Sequence, residues 1–346
     1  MNKQGLLNNI LKVLAANFWV TLIGFAGSFV FPKILSIESY AFYQTFLMYQ
    51  SYCAILHLGF ASGMTVKYAG AEYSLIDKSQ YKTEVTIILI ILTFFTIIAA
   101  VVYGFTGESM WRYIALVIYP AVLTGCYKTF YQAWGNFKDY SILNIFLATA
   151  VPALAIFCFG LRGQLSGETY VSIYLAVYWT ATIKILYEYS KKVKGSKRNA
   201  FFSKENLQLE RNGLALTIGN YINVLFISLD KQFVNIFFSV DKFAFYTFGI
   251  SMQSIMTVFI TSISQPLFPA IANGVIRKTD FNKIKELLFI FGSLSGCAFF
   301  VVTFIVQSFI KKYIGALEVV GIYFVVFPAL AVINCLYLNL YKLRQC

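Results

Sequence analysis

The chain has 346 residues, of which 59% are hydrophobic and 12% charged, with a mean hydropathy of +0.69. Soluble domains run at about 45–50% and about 25%, so a water-soluble protein is excluded. The net charge of +13 would suit a nucleic-acid partner, but the basic residues lie between apolar runs rather than on one stripe, and no nucleic-acid partner is expected.

A helix that crosses about 30 Å of hydrocarbon needs about 20 largely apolar residues. In chain order, ten runs fit, centred in 13–31, 43–63, 85–105, 113–134, 141–161, 169–189, 213–238, 245–265, 287–307 and 319–340. Lys3 and Lys12 precede the first run as in a signal peptide. "FAGSFVFPKIL" offers no small-x-small cleavage site, so a retained first helix is expected. The second run is interrupted by Gln50 and His57. The strongest are "VTIILIILTFFTIIAAVVYGF" (85–105) and "LLFIFGSLSGCAFFVVTFIVQ" (287–307). All are continuous rather than alternating, which predicts helices and not a membrane barrel. The six cysteines are scattered without a CxxC pair, so neither disulfides nor a zinc site is expected.

With the N-terminus in the cytoplasm and the side alternating at each helix, nineteen of the 28 Lys and Arg fall in cytoplasmic segments and six on the opposite side. This positive-inside bias predicts both termini in the cytoplasm. The longest polar stretch, "KKVKGSKRNAFFSKENLQLERNG", follows the sixth run. It predicts a basic cytoplasmic linker (191–212) between a six-helix lobe (1–190) and a four-helix lobe (213–346). The linker's cations are also placed to rest on anionic headgroups.

Two short phrases tie the lobes together. "SIESYAFY" (36–43) recurs as "SVDKFAFY" (239–246), and at the same offset Asn17 meets Asn220. Each phrase follows the first helix of its lobe, which predicts a loop on the same outer face. Six intervening helices make the repeat parallel, related by an axis along the membrane normal. The fold expected is therefore an all-α polytopic membrane protein of about ten helices in two parallel-repeat bundles, six plus four.

The opening "NNILKVLAANFWVTLIGFAGSFVFPKILSIESYAFYQTFLMYQSYCAILHLGFASGMTVKYAGAEY" resembles the start of bacterial polysaccharide-transporter proteins, the O-antigen and capsule repeat-unit flippases of the multidrug/oligosaccharidyl-lipid/polysaccharide exporter superfamily. The features in common are "ESYAFY" after the first helix, then the small-residue stretch "LGFASGM" and the basic and aromatic "KYAGAEY". The central "SLDKQFVNIFFSVDKFAFYTFGISM" looks like the start of that family's second lobe. Six helices per lobe are usual there, so against that pattern the chain is short at its C-terminal end. The resemblance implies a flippase of the bacterial inner membrane, not an enzyme. Its cargo would be a polyprenyl-diphosphate-linked oligosaccharide, and its partners membrane lipids and the polysaccharide polymerase and chain-length machinery. Multidrug extrusion on a related fold is one alternative; a polymerase or ligase of glycan assembly is the other. No cofactor and no metal is expected.

Such a cargo needs cations for its diphosphate and polar groups for its hydroxyls. An ionisable side chain at mid-membrane costs about 2.5–3.5 kcal/mol, so those present are candidates. On the seventh run Thr217, Asn220, Asn223, Asp230 and Lys231 share one wedge of a straight helix, which predicts a cavity-lining face; the alternative is that Asp230 and Lys231 snorkel to water. Lys128, inside the fourth run, is the expected diphosphate contact, with snorkelling again the alternative. Asn17 belongs to a stripe of small residues that suggests helix packing, yet aligns with Asn220. His57 is the sole histidine and is expected to hydrogen-bond across helices rather than relay protons.

Overall fold

The computed structural model describes residues 3–71, 76–201, 203–254 and 281–333. Among these there is no β-strand. The elements are α1 (Lys3–Ile34), α2 (Ile37–Tyr52), a 3-10 turn (Cys53–His57), α3 (Phe60–Lys67), α4 (Lys78–Thr106), α5 (Ser109–Ala133), α6 (Phe137–Arg162), α7 (Gly167–Lys192) and α8 (Lys204–Phe237). There follow α9 (240–254), α10 (Phe281–Ser295), α11 (Ala298–Phe309), a 3-10 turn (Lys311–Ala316) and α12 (Leu317–Val332). The protein is an all-α membrane protein. Among the described residues, five helical stretches are long and apolar enough to cross a bilayer: Lys12–Ile34, Lys78–Thr106, Ser109–Ala133, Phe137–Arg162 and Lys311–Val332. The bent α8 would be a sixth.

Local chemistry sets the helix ends. Asp77, Asn136, Ser166, Ser36 and Ser203 each accept a hydrogen bond from a backbone amide two or three residues on, satisfying donors that the first turn leaves orphaned. Gly107 and Gly163 close α4 and α6 in the left-handed region, at φ 69° and 68°.

Three expected runs differ from straight helices. The 43–63 run breaks after the 3-10 turn, where Leu58 (φ 47°) and Gly59 (φ 90°) are both left-handed. The 287–307 run divides at Gly296 into α10 and α11. In α8 the axis turns by 47° between Lys204–Phe226 and Ser228–Phe237. The Ser228 hydroxyl donates back to the Val224 carbonyl at 2.5 Å, a bond that bends helices.

The described chain forms two compact units, Met1–Gly24 with Phe42–Ile236, and Phe25–Ala41 with Phe237–Cys346. Residues 191–212 lie within the first. There α5 packs against α4, α6 and α7, and α3 against α4 and α5. In the first unit α8 also meets α3 at glycines: a Cβ on Gly213 would lie 2.0 Å from the Gly59 carbonyl oxygen, and one on Gly63 2.3 Å from that of Leu209. The stretch "GFASG" thus serves as a small-xxx-small face that lets two backbones touch.

In the second unit, α12 packs on α10 and α11. The repeated phrases prove to be helix beginnings rather than loops, because the serine that opens each is followed directly by helix. Tyr40 of the first and Phe245 of the second lie edge-on to one buried ring, Tyr313, with centroids 5.6 and 5.7 Å away. Next to it the Lys312 ammonium donates to the Lys33 carbonyl at 3.2 Å and to that of Leu35, capping the end of α1.

Candidate functional site

The break between α2 and α3 opens a cavity of about 340 Å³ inside the first unit. Its walls are the 3-10 turn (Ile55, His57), α3 (Ser62, Thr65), α5 (Val122, Gly125, Thr129) and α8 (Thr217, Asn220, Tyr221). The break is held locally: the Gly59 amide donates to His57 Nδ1 at 3.2 Å, so a neutral His57 carries its proton on Nε2. The bond expected across helices is therefore a bond within the turn.

The cavity wall is mostly apolar, with the hydroxyls of Ser62, Thr65, Thr129, Thr217 and Tyr221 set into it, and none of its described lining residues is acidic. Ser62 and Thr217 share a hydrogen bond of 2.7 Å between α3 and α8. Thr65 and Thr129 place their oxygens 3.2 Å apart between α3 and α5. Thr65 also donates to the Ala61 carbonyl and Thr129 to that of Cys126, both at 2.8 Å. Each hydroxyl has a single proton: those of Thr65 and Thr129 go to helix carbonyls, and one of the Ser62 and Thr217 pair is used in the bond between them, which leaves lone pairs available. Beside them, the Asn220 amide offers both a donor and an acceptor.

A second polar cluster lies where α3 ends and where α4 and α8 begin. Glu84 is fully buried, and its carboxylate accepts from Lys67 Nζ at 2.6 Å, from the Tyr68 hydroxyl at 2.6 Å and from Gln80 Nε2 at 3.0 Å. Lys67 also pairs with Glu205 at 2.6 Å, which is 58% exposed; the strong partner is therefore Glu84. Gln80 Nε2 bonds Asn206 Oδ1 at 2.7 Å, and Asn199 Nδ2 bonds Gln80 Oε1 at 2.9 Å. Asn206 in turn donates to the carbonyls of Ala200 and Phe201. Burial pushes the Lys67 amine down, but the two carboxylates outweigh it and hold it above the usual lysine range. Burial, then Glu84, pushes the Tyr68 phenol up. Every member is satisfied, which makes this cluster a tether for the 199–206 segment.

Of the six residues proposed from sequence, the five whose side chains are described are not brought together. Of them, Asn220 lines the cavity. Lys128 is half-buried on α5, beside the wall residues Gly125 and Thr129, and makes no hydrogen bond or ion pair among the described residues. Asp230 and Lys231 stand ten and eleven residues beyond Asn220, about 15 Å along a helix, and past the bend. Asp230 accepts from the Lys231 amide at 2.7 Å. The single wedge assumed a straight α8, and the bend divides it. Asn17 accepts from the Tyr140 hydroxyl and from Asn144 Nδ2, both at 3.2 Å, and so ties α1 to α6. Asn223 lies on α8, but its side chain falls outside the described residues.

Sequence reasoning missed Ser62, Thr65 and Thr129 because a hydroxyl in an apolar run costs little and stands out from nothing. It missed Glu84 because an acid four residues after Gln80, at the edge of the 85–105 run, reads as a solvated helix start. Comparison with protein-family models, with curated proteins and with solved structures finds no match.

Proposed function

We propose that this protein is a flippase of the bacterial inner membrane that carries a polyprenyl-diphosphate-linked oligosaccharide, an O-antigen or capsular repeat unit, to the outer leaflet. The observation that carries the reading is the cavity at a helix break, whose largely apolar wall holds a group of hydroxyls and the Asn220 amide. Broken helices next to a cavity are how transporters present unsatisfied polar groups within a bilayer. Lone pairs of Ser62, Thr65, Thr129 and Thr217, with the Asn220 amide, match sugar hydroxyls. The absence of a carboxylate from the wall disfavours the cationic cargo of a multidrug exporter.

In this reading ten crossings come from the six stretches already described, together with α2–α3 and α10–α11 as broken spans, the 26-residue α7, and the apolar 245–265 run, of which the part beyond 254 lies outside the described residues. Both termini face the cytoplasm, as the positive-inside bias requires. Two parallel repeats, six helices plus four, related by an axis along the membrane normal, rock to give alternating access, and the partners are the polymerase and chain-length machinery. Lys128, at the edge of the cavity wall, meets the diphosphate as a point charge. Complementation of a flippase-deficient strain tests this, with surface glycan scored against protein abundance. Lys128→Ala is expected to lose most export and Lys128→Arg to retain more of it. Normal export by Lys128→Ala at normal abundance removes the lysine from the site.

A further inference from the structure

Away from the cavity, a groove of about 570 Å³ lies on the first unit where α4, the start of α3 and the first two turns of α8 meet. Its floor is apolar, with Ile87, Ile90 and Ile91 of α4, Phe60 of α3 and Leu207 of α8, and Ile90 and Leu207 are strongly exposed. One end is polar. There Ser203 caps α8 and Lys204 opens it; Lys194, Lys197 and Arg198, all exposed, immediately precede the tethered 199–206 segment in the chain.

The geometry points to a binding site for one anionic phospholipid of the surrounding bilayer, with its phosphate at Lys204 and an acyl chain along the isoleucines. Three observations favour that occupant. The first is length. Asn206 is level with Gln80, to which it is bonded, and Ile91 lies eleven residues further along α4. At 1.5 Å per residue that is about 16 Å, close to the thickness of one leaflet, about half of 30 Å. The second is charge: residues 191–211 carry seven basic and two acidic side chains. Of the two acids, Glu205 is engaged by Lys67. Glu210 lies six residues below Lys204, about 9 Å deeper, away from where a phosphate would sit. The third is the helix itself. The positive end of the α8 dipole and its first free amides face the same level as the Lys204 ammonium. A neutral lipid would use the floor alone. An anionic one uses all three.

Native mass spectrometry of the full chain in detergent tests the assignment. The probes are phosphatidylglycerol and phosphatidylcholine with identical acyl chains. Wild-type protein is expected to retain phosphatidylglycerol several-fold over phosphatidylcholine. A cation near a membrane surface contributes about 1 kcal/mol, so Lys204→Ala should cut that preference about fivefold. Leu207→Trp, which fills the groove, should release both lipids while leaving far-UV circular dichroism and elution volume unchanged. Equal retention of the two lipids by the wild type overturns the site, and that comparison needs no variant. An undiminished preference in Lys204→Ala also overturns it. A dimer mass that persists without lipid, and is lost in Leu207→Trp, would assign the groove to a second copy instead.

Discussion

The cavity at the α2–α3 break and the cluster around Glu84 are both built from polar side chains inside a membrane protein, and both hold α8. They solve opposite problems. Around Glu84 every donor meets an acceptor, three bonds converge on one buried carboxylate, and the result is a closed knot. In the cavity wall the Thr65 and Thr129 protons are spent on helix carbonyls, Ser62 and Thr217 bond each other, and hydroxyl lone pairs remain without a donor. A saturated network fixes a structure, whereas an unsaturated one waits for a guest. Polarity in an apolar chain therefore signals function only when its bonding is incomplete.

The largest way to break this contrast is to open the knot. Lys67→Met leaves Glu84 charged and buried without its cation, a change that costs about 3–5 kcal/mol. Thermal unfolding in detergent should show a drop of that order, and Lys67→Met with Glu84→Gln should recover part of it. A drop below about 1 kcal/mol would mean that the pair is a surface interaction.

A smaller effect is expected at the cavity wall. Ser62→Ala removes one neutral hydrogen bond, worth about 0.5–1.5 kcal/mol, and leaves Thr217 with its own carbonyl as an alternative. Stability should fall by about that amount or less, while export falls far more. If stability and export fall in proportion, the pair is merely structural.

The smallest effect is in pH. The Lys67 amine is held above its ordinary value, so its contribution is complete below the ordinary lysine pKa and fades only as pH rises through the raised one. It should be flat from pH 7.5 to 9.5. Lys192 is the reverse case. Burial, and then Lys78, push its amine down to about 8, over the rings of Tyr81 and Trp134. Between about 8 and the ordinary lysine value the unfolded chain binds the extra proton, so stability should rise with pH. The residue is half-exposed and screened, so about a few tenths of a kcal/mol is expected relative to Lys192→Met. A wild-type and variant difference that moves the other way over this window would place Lys192 in a stabilising ion pair.

Hydrophobic runs are legible in sequence because span length is a sum over about 20 residues, and the α4, α5 and α6 spans were found that way. Breaks are not. Leu58 and Gly59 sit inside a run whose total hydropathy barely registers one left-handed pair, and the bend of α8 falls within an apolar stretch that carries no Gly or Pro to mark it. The cavity was half legible. Asn220 and Thr217 were reached through the polar stripe of their helix, but the same stripe carried Asp230 and Lys231 along as though the axis were straight. The recurrent phrase marked two helix starts that both reach Tyr313, but through non-matching positions, since Tyr40 aligns with Phe243 and Phe42, which aligns with Phe245, lies edge-on to Tyr113; both phrases were read as loops.

The central claim is that the cavity wall receives cargo. Gly125 offers the most direct test, because it lines the cavity on α5 and a Cβ there would meet nothing within 4 Å. Gly125→Phe should therefore grow into the cavity without displacing backbone. Gly104→Phe, equally unobstructed on α4 but outside the cavity, is the control. In the complementation assay, the account predicts that Gly125→Phe loses most surface glycan at normal abundance while Gly104→Phe exports normally. Normal export by Gly125→Phe would contradict it.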